Sequence, residues 1–149
     1  IFDIGYLNLV NQFIIEMTYK SKKILSEISP GELLDKLSIL EIKLDKITDK
    51  NKHKLVNKEY TSLIKIRNLN INLTTKVKNL FKELKKINLS LWNIEDKLRI
   101  YEKNKTFDKN FISLARNVYL KNDKRARIKS DINKILDSNI KEIKQYIKY

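Results

Sequence analysis

The longest hydrophobic pattern in the chain runs through Val77, Leu80, Leu84, Ile87, Leu91, Ile94, Leu98 and Tyr101, in alternating steps of three and four. Only a helix returns to one face at that interval, so the eight positions predict a helix of about 28 residues, roughly 42 Å at 1.5 Å per residue, within about residues 74–104. This register is that of a coiled-coil seam, which antiparallel neighbours in the same chain or a second copy in a dimer can fill. An earlier pattern, Leu33, Leu34, Leu37, Leu40, Leu44 and Ile47, predicts another helix, and Ile39 and Ile42 widen its apolar face enough to touch more than one neighbour. Its start is marked by Ser29-Pro30-Gly31-Glu32, where Ser29 suits the cap, Pro30 the first helical position and Glu32 the third position of a capping box.

Between these two lies a third helix carrying Leu55, Val56, Tyr60, Leu63, Ile64 and Ile66, entered through the polar connection Asp49 to Lys52 and left through the Asn-rich stretch around residues 68–72. After the long helix, Thr106 or Asp108 can cap a segment with Phe111, Ile112, Ala115, Val118 and Tyr119. Asn122-Asp123 reads as a break and a new cap for Ile128, Ile132, Ile135 and Leu136, and Ser138 as the start of a last short helix with Ile143, Tyr146 and Ile147. The expected fold is all-α: an antiparallel helical bundle with one long central helix and shorter C-terminal helices. Residues 24–149 form its single domain, with 1–23 an N-terminal extension to the core.

Composition sharpens this. Two glycines and one proline are too few for the turns of a sandwich or an α/β sheet. With no cysteine, disulfides and thiolate metal sites are excluded. Ile1 to Glu16 is fairly apolar but has no basic leader region and carries Asp3 and Glu16, so it does not read as a signal peptide. No apolar run approaches the roughly 18 residues of a membrane span. A soluble cytoplasmic protein is expected.

The formal charge of +14 points to anionic partners, nucleic acid among them. Yet the basic residues are 27 Lys against 5 Arg, which suits a solvated helix surface better than bidentate phosphate or base recognition. Four of the five arginines, Arg99, Arg116, Arg125 and Arg127, fall in the last third of the chain, so that region holds the candidate site. Trp92, Glu95, Asp96, Arg99 and Glu102 cluster beside the long seam, as a polar site or as i,i+4 surface pairs. A helix start at Asn122-Asp123, flanked by Arg125 and Lys129, would seat a phosphate or carboxylate; alternatively Asp123 caps the helix and pairs with Arg125. Trp92, Tyr101, Phe107, Phe111 and Tyr119 could stack a base or sugar, although at helical spacing aromatics are more often core. The one histidine, His53, sits in a Lys-rich connection and is expected to be an exposed loop residue. No cofactor or metal is implied, and no phosphate loop, nucleophile elbow or paired histidine motif occurs.

Three segments carry a family resemblance: Ser29-Pro30-Gly31-Glu32-Leu33-Leu34-Asp35-Lys36-Leu37-Ser38-Ile39-Leu40-Glu41-Ile42-Lys43, then Leu91-Trp92-Asn93-Ile94-Glu95-Asp96, then Phe107-Asp108 through Leu114-Ala115-Arg116 to Tyr119, Asn122-Asp123 and Arg125-Ala126. In this order they resemble a small helical family of unknown function from bacteria and viruses, often encoded near surface-polysaccharide genes. The resemblance covers roughly residues 24–146, leaves Ile1 to Glu16 outside, and makes Met17 a natural start. It implies attention to its shared polar positions, Glu32, Asp35, Lys36, Glu41, Lys43, Glu95, Asp96, Arg99, Arg116, Asn122, Asp123, Arg125 and Lys129.

The expected function is a non-enzymatic interaction module binding an acidic partner or anionic ligand, in surface-glycan assembly, as a monomer or homodimer. Its candidate residues are Glu41, Trp92, Glu95, Asp96, Arg99, Arg116, Tyr119, Asn122, Asp123, Arg125 and Lys129. The alternatives are nucleic-acid binding through the basic surface, and an enzyme with Glu41, Glu95 or Asp96 as acid or base and Arg99 and Arg116 holding an anion.

Overall fold

The computed structural model describes residues 24–141, 143 and 145; the expectations for residues 1–23, and for Tyr146 and Ile147, lie outside them. The described residues form four helices and no strand: α1 (Pro30–Lys46), α2 (Lys50–Asn70), α3 (Thr75–Lys103) and α4 (Lys109–Ile135). Each begins at a short polar side chain that accepts a backbone N–H of the first turn: Ser29 from Glu32, Asp49 from Lys52, Thr74 from Val77, and Asp108 from Asn110 and Phe111. These caps satisfy donors that a helix start leaves unpaired. The long helix lies where its seam predicts it.

α3 and α4 form an antiparallel hairpin. Tyr101 meets Phe111 near its turn with ring centroids 6.2 Å apart, and at the other end Val77 and Leu84 share a core with Ile128 and Ile132. The turn is closed by Thr106 N–H donating to the Tyr101 carbonyl (3.0 Å) and Lys105 N–H to that of Glu102 (3.1 Å). That pair of bonds needs a left-handed residue after the cap, here Lys105 with φ 53°. α4 ends the same way, Ser138 N–H reaching Asn133 and Asp137 standing at φ 48°.

α1 lies across this hairpin and is the one of these four helices whose backbone comes close to all three others; the α2 backbone comes close to that of α1 alone. The wide apolar face of α1 accounts for its position, with Leu33, Leu34, Leu37 and Leu40 buried and the first three in the main core. Tyr60, Leu63 and Ile64 bring α2 against that core, and Ile71 in the following connection joins it. α2 itself has no buried residue.

Three expectations are corrected. Asn122-Asp123 neither breaks nor restarts the chain, because α4 runs unbroken from Lys109 to Ile135. Asn and Asp cost a helix interior only a few tenths of a kcal/mol each, and the packing of Ile128 and Ile132 on α1 and α3 outweighs that. His53 belongs to the first turns of α2 and is half-buried, because the helix starts at Asp49 instead of after the lysines. Past Ser138, residues 138–141, 143 and 145 are not helical; the Ser138 hydroxyl donates to the Ile140 carbonyl (2.8 Å), which favours a turn.

Candidate functional site

Two polar clusters flank α1, and they differ in how their charges are used. The first lies between α1 and the hairpin. Gly31 in the first turn comes so close to α4 that a Cβ there would stand 2.6 Å from the Lys129 carbonyl oxygen, which explains the glycine without any unusual φ. Its N–H donates to Asn133 Oδ1 at 2.7 Å. With Pro30 lacking an N–H and Ser29 capping Glu32, the start of α1 is closed to an external anion.

One turn on, Asp35 is only 2% exposed. Arg125 grips it in a fork, Nε donating to Oδ1 at 2.9 Å and Nη2 to Oδ2, while Nη1 reaches Asn122 Oδ1 at 3.4 Å. Asn88 of α3 donates to both Asp35 Oδ1 (2.8 Å) and Ser38 Oγ (2.7 Å), and Ser38 in turn donates to the Asp35 carbonyl (2.8 Å). Lys129, itself buried, pairs with Glu32. No buried side-chain polar atom among the described residues lacks a partner. A network so fully matched orients α1 on the hairpin, and burying Asp35 is tolerable because Arg125 and Asn88 both donate to its carboxylate.

The second cluster lies on the other flank, where α1, α2 and α3 meet. Glu41 accepts from Tyr60 Oη at 3.2 Å and from Lys85 Nζ at 2.8 Å, with Asp45 3.9 Å from the same ammonium. The Glu41 hydrogen bond holds the Lys85 proton and raises its pKa despite the opposing effect of partial burial. Partial burial, then the neighbouring Glu41 charge, raises that of the Tyr60 phenol. Beside them opens a groove of about 380 Å³ lined by Leu34, Leu73, Phe81, Glu41, Arg67, Lys78, Lys82 and Lys85. Its floor is apolar and its rim carries four cations against one carboxylate. Lys78 and Lys82 are exposed and make no ion pair with a described residue, and the Arg67 guanidinium donates to its neighbour Asn68 (2.7 and 3.1 Å).

The residues singled out from the sequence therefore separate. Asn122, Arg125 and Lys129 join the buried network, so the phosphate seat expected at Asn122-Asp123 is not formed: there is no helix start, and both cations are engaged by α1. The alternative that Asp123 caps a helix falls with it, and half-buried Asp123 lines a shallow groove with Leu80, Glu83, Leu120, Lys124 and Arg127. Glu95 and Arg99 make an i,i+4 pair at 3.2 Å on the surface of α3, with Asp96 exposed beside them and Trp92 half-buried. Arg116 and Tyr119 are exposed on α4. Glu41 alone reaches the cationic groove. Arg67, Lys78, Phe81, Lys82 and Lys85 were missed by sequence reasoning, although Lys78, Lys82 and Lys85 stand at i, i+4 and i+7 and share a face of α3. Among the described residues no cluster of three or more His, Asp or Glu could hold a metal ion, and no helix is long and apolar enough to cross a membrane.

Neither a curated protein nor a solved structure matches the chain. One family model does, over residues 24–148, which takes in α1 to α4 and both polar clusters. The chain belongs to that family, DUF6165, a family of unknown function.

Proposed function

We propose that this chain is a non-enzymatic helical interaction module that binds an anionic ligand in the groove between α1, α2 and α3. The observation that supports this is the imbalance at the groove: Arg67, Lys78, Lys82 and Lys85 surround an apolar floor, and the single carboxylate, Glu41, is already held by Tyr60 and Lys85. Its volume falls at the lower end of the range of roughly 300–1,000 Å³ typical of small-ligand sites. Phe81 and Leu73 suit an apolar or aromatic body, the rim suits phosphate or carboxylate, and nucleotides and nucleotide sugars combine the two. A nucleotide sugar would also fit the surface-glycan setting suggested by the resemblance.

Titration calorimetry with uridine diphosphate and with pyrophosphate tests this. Binding that weakens with salt and is lost in Lys78→Glu/Lys82→Glu supports it. Equal binding by that variant and the parent protein would remove the groove from consideration.

Nucleic-acid binding is the second reading, favoured by α2, whose Lys50, Lys52, Lys54, Lys58 and Lys65 are exposed beside the single carboxylate Glu59. Its mark is a steep loss of affinity for duplex DNA or single-stranded RNA between about 50 and about 200 mM salt. Affinity unchanged over that range would exclude it. The enzyme reading needs Glu41, Glu95 or Asp96 beside both Arg99 and Arg116; Glu95 pairs with Arg99, while Arg116 lines a separate groove on α4.

A further inference from the structure

The α3–α4 hairpin is longer than α1 can cover. From Glu95 to Arg127 no residue is buried, whereas Ile94 on one side and Ile128 on the other are. This uncovered arm nevertheless ends in apolar side chains. Phe107 in the turn is 53% exposed, and Ile100 and Ile112 are 59% and 54% exposed. The two isoleucines neighbour Tyr101 and Phe111, whose rings bridge the hairpin, so they stand at one depth behind the turn.

Phe107 is held firmly. Its ring packs edge-on against Phe111, centroids 5.1 Å apart and planes at 80°. The turn on one side is closed by two backbone hydrogen bonds, and Asp108 caps α4 on the other. A fixed, half-exposed aromatic at the apex of a projecting hairpin is presented to something.

The charges around it indicate what. Residues 97–112 contain Lys97, Arg99, Lys103, Lys105 and Lys109 against Glu102 and Asp108. All five cations are exposed; Lys105 is paired with Glu102 at 2.5 Å and Arg99 with Glu95 at 3.2 Å, Lys97, Lys103 and Lys109 make no ion pair with a described residue, and Asp108 is engaged by two backbone N–H groups. Lysines behind an apolar apex can extend along their stems to phosphate while the apex enters hydrocarbon. We propose that the tip of the α3–α4 hairpin docks on an anionic lipid bilayer, with Phe107, Ile100 and Ile112 in the interfacial layer and Lys103, Lys105 and Lys109 among the headgroups. Exposed apolar side chains at a hairpin end ringed by exposed lysines match the hydrocarbon boundary and phosphate layer of an anionic bilayer in one surface.

The test is sedimentation of the whole chain with vesicles of phosphatidylcholine alone and of phosphatidylcholine mixed with phosphatidylglycerol. The mixed vesicles should carry the protein down and the neutral ones should not. Phe107→Ser/Ile112→Ser, with helicity confirmed by circular dichroism, should bind at least about tenfold more weakly, while Lys54→Glu/Lys58→Glu on α2 keeps most of the affinity. Phe107→Trp should show emission moving to the blue on adding mixed vesicles. No binding to the mixed vesicles, equal losses in the α2 and tip variants, or an unshifted Phe107→Trp spectrum would each overturn the proposal.

Discussion

The two flanks of α1 are made of the same residue types and behave oppositely. Toward the hairpin, Asp35 and Glu32 meet Arg125 and Lys129 one to one, with Asn88, Asn122 and Ser38 completing the hydrogen bonds. Toward α2, Glu41 faces four cations and satisfies only part of them. The difference teaches that a charged residue marks a ligand site by its surplus, not by its presence. Where charges balance in a buried seam they position helices; where one sign remains at a solvated groove, an outside partner is needed to balance it.

The comparison is broken most severely at Arg125. Arg125→Met leaves the buried Asp35 carboxylate without its counter-ion and should lower stability by about 3–5 kcal/mol, measured by urea denaturation. Asp35→Leu/Arg125→Met should recover most of that loss, since matched apolar groups replace a buried pair at little cost. A loss under about 1 kcal/mol for the single variant would mean that the seam does not orient α1.

Next comes Gly31→Ala, expected to cost about 1–3 kcal/mol because its methyl group would meet a backbone oxygen of α4, which cannot move aside as a side-chain end would. Thermal unfolding measures it. On the opposite flank, Lys78→Glu/Lys82→Glu should leave stability within about 0.5 kcal/mol, both positions being exposed, yet weaken uridine diphosphate binding by about tenfold or more. A stability loss there comparable to that at Arg125 would erase the contrast.

Smaller effects sharpen it. Lys105→Gly relieves a left-handed residue at the tip, and after the entropy of the added glycine is subtracted it should stabilise by about 0.5–1 kcal/mol in the same unfolding experiment. The smallest effect is one of pH. Tyr60 and Lys85 both hold their protons more tightly folded than unfolded, so the native state binds more protons once pH enters the range where the unfolded groups titrate. Their contribution is fully present below about pH 10 and fades as pH rises through the raised folded values, a loss that Glu41→Gln should flatten.

The α1 polar positions show how far the sequence could be read. The family resemblance drew attention to Asp35, Glu32 and Lys129, but spacing did not pair them, because Asp35 and Arg125 are 90 residues apart and no local period joins them. Asn122-Asp123 misled for the related reason that turn-favouring residues act only through weak local preferences. The exposed Glu95 and Arg99 pair was legible because it is local, one turn along a single helix.

What the sequence determined by itself is local: the periods that make α1, α2 and α3 helices, the cap at Ser29, the choice of Thr106 or Asp108 before α4, and the length of the central seam. Those follow from interactions within a turn or two of backbone, which the order of residues specifies directly. Tertiary structure alone decided that α4 is one helix, that Arg125 of the last third closes on α1 while Arg99 and Arg116 do not, and that the surplus charge collects on the α2 side. Burial is the reason: which charges are paired, and which are left facing water, depends on helices meeting that lie far apart in the chain.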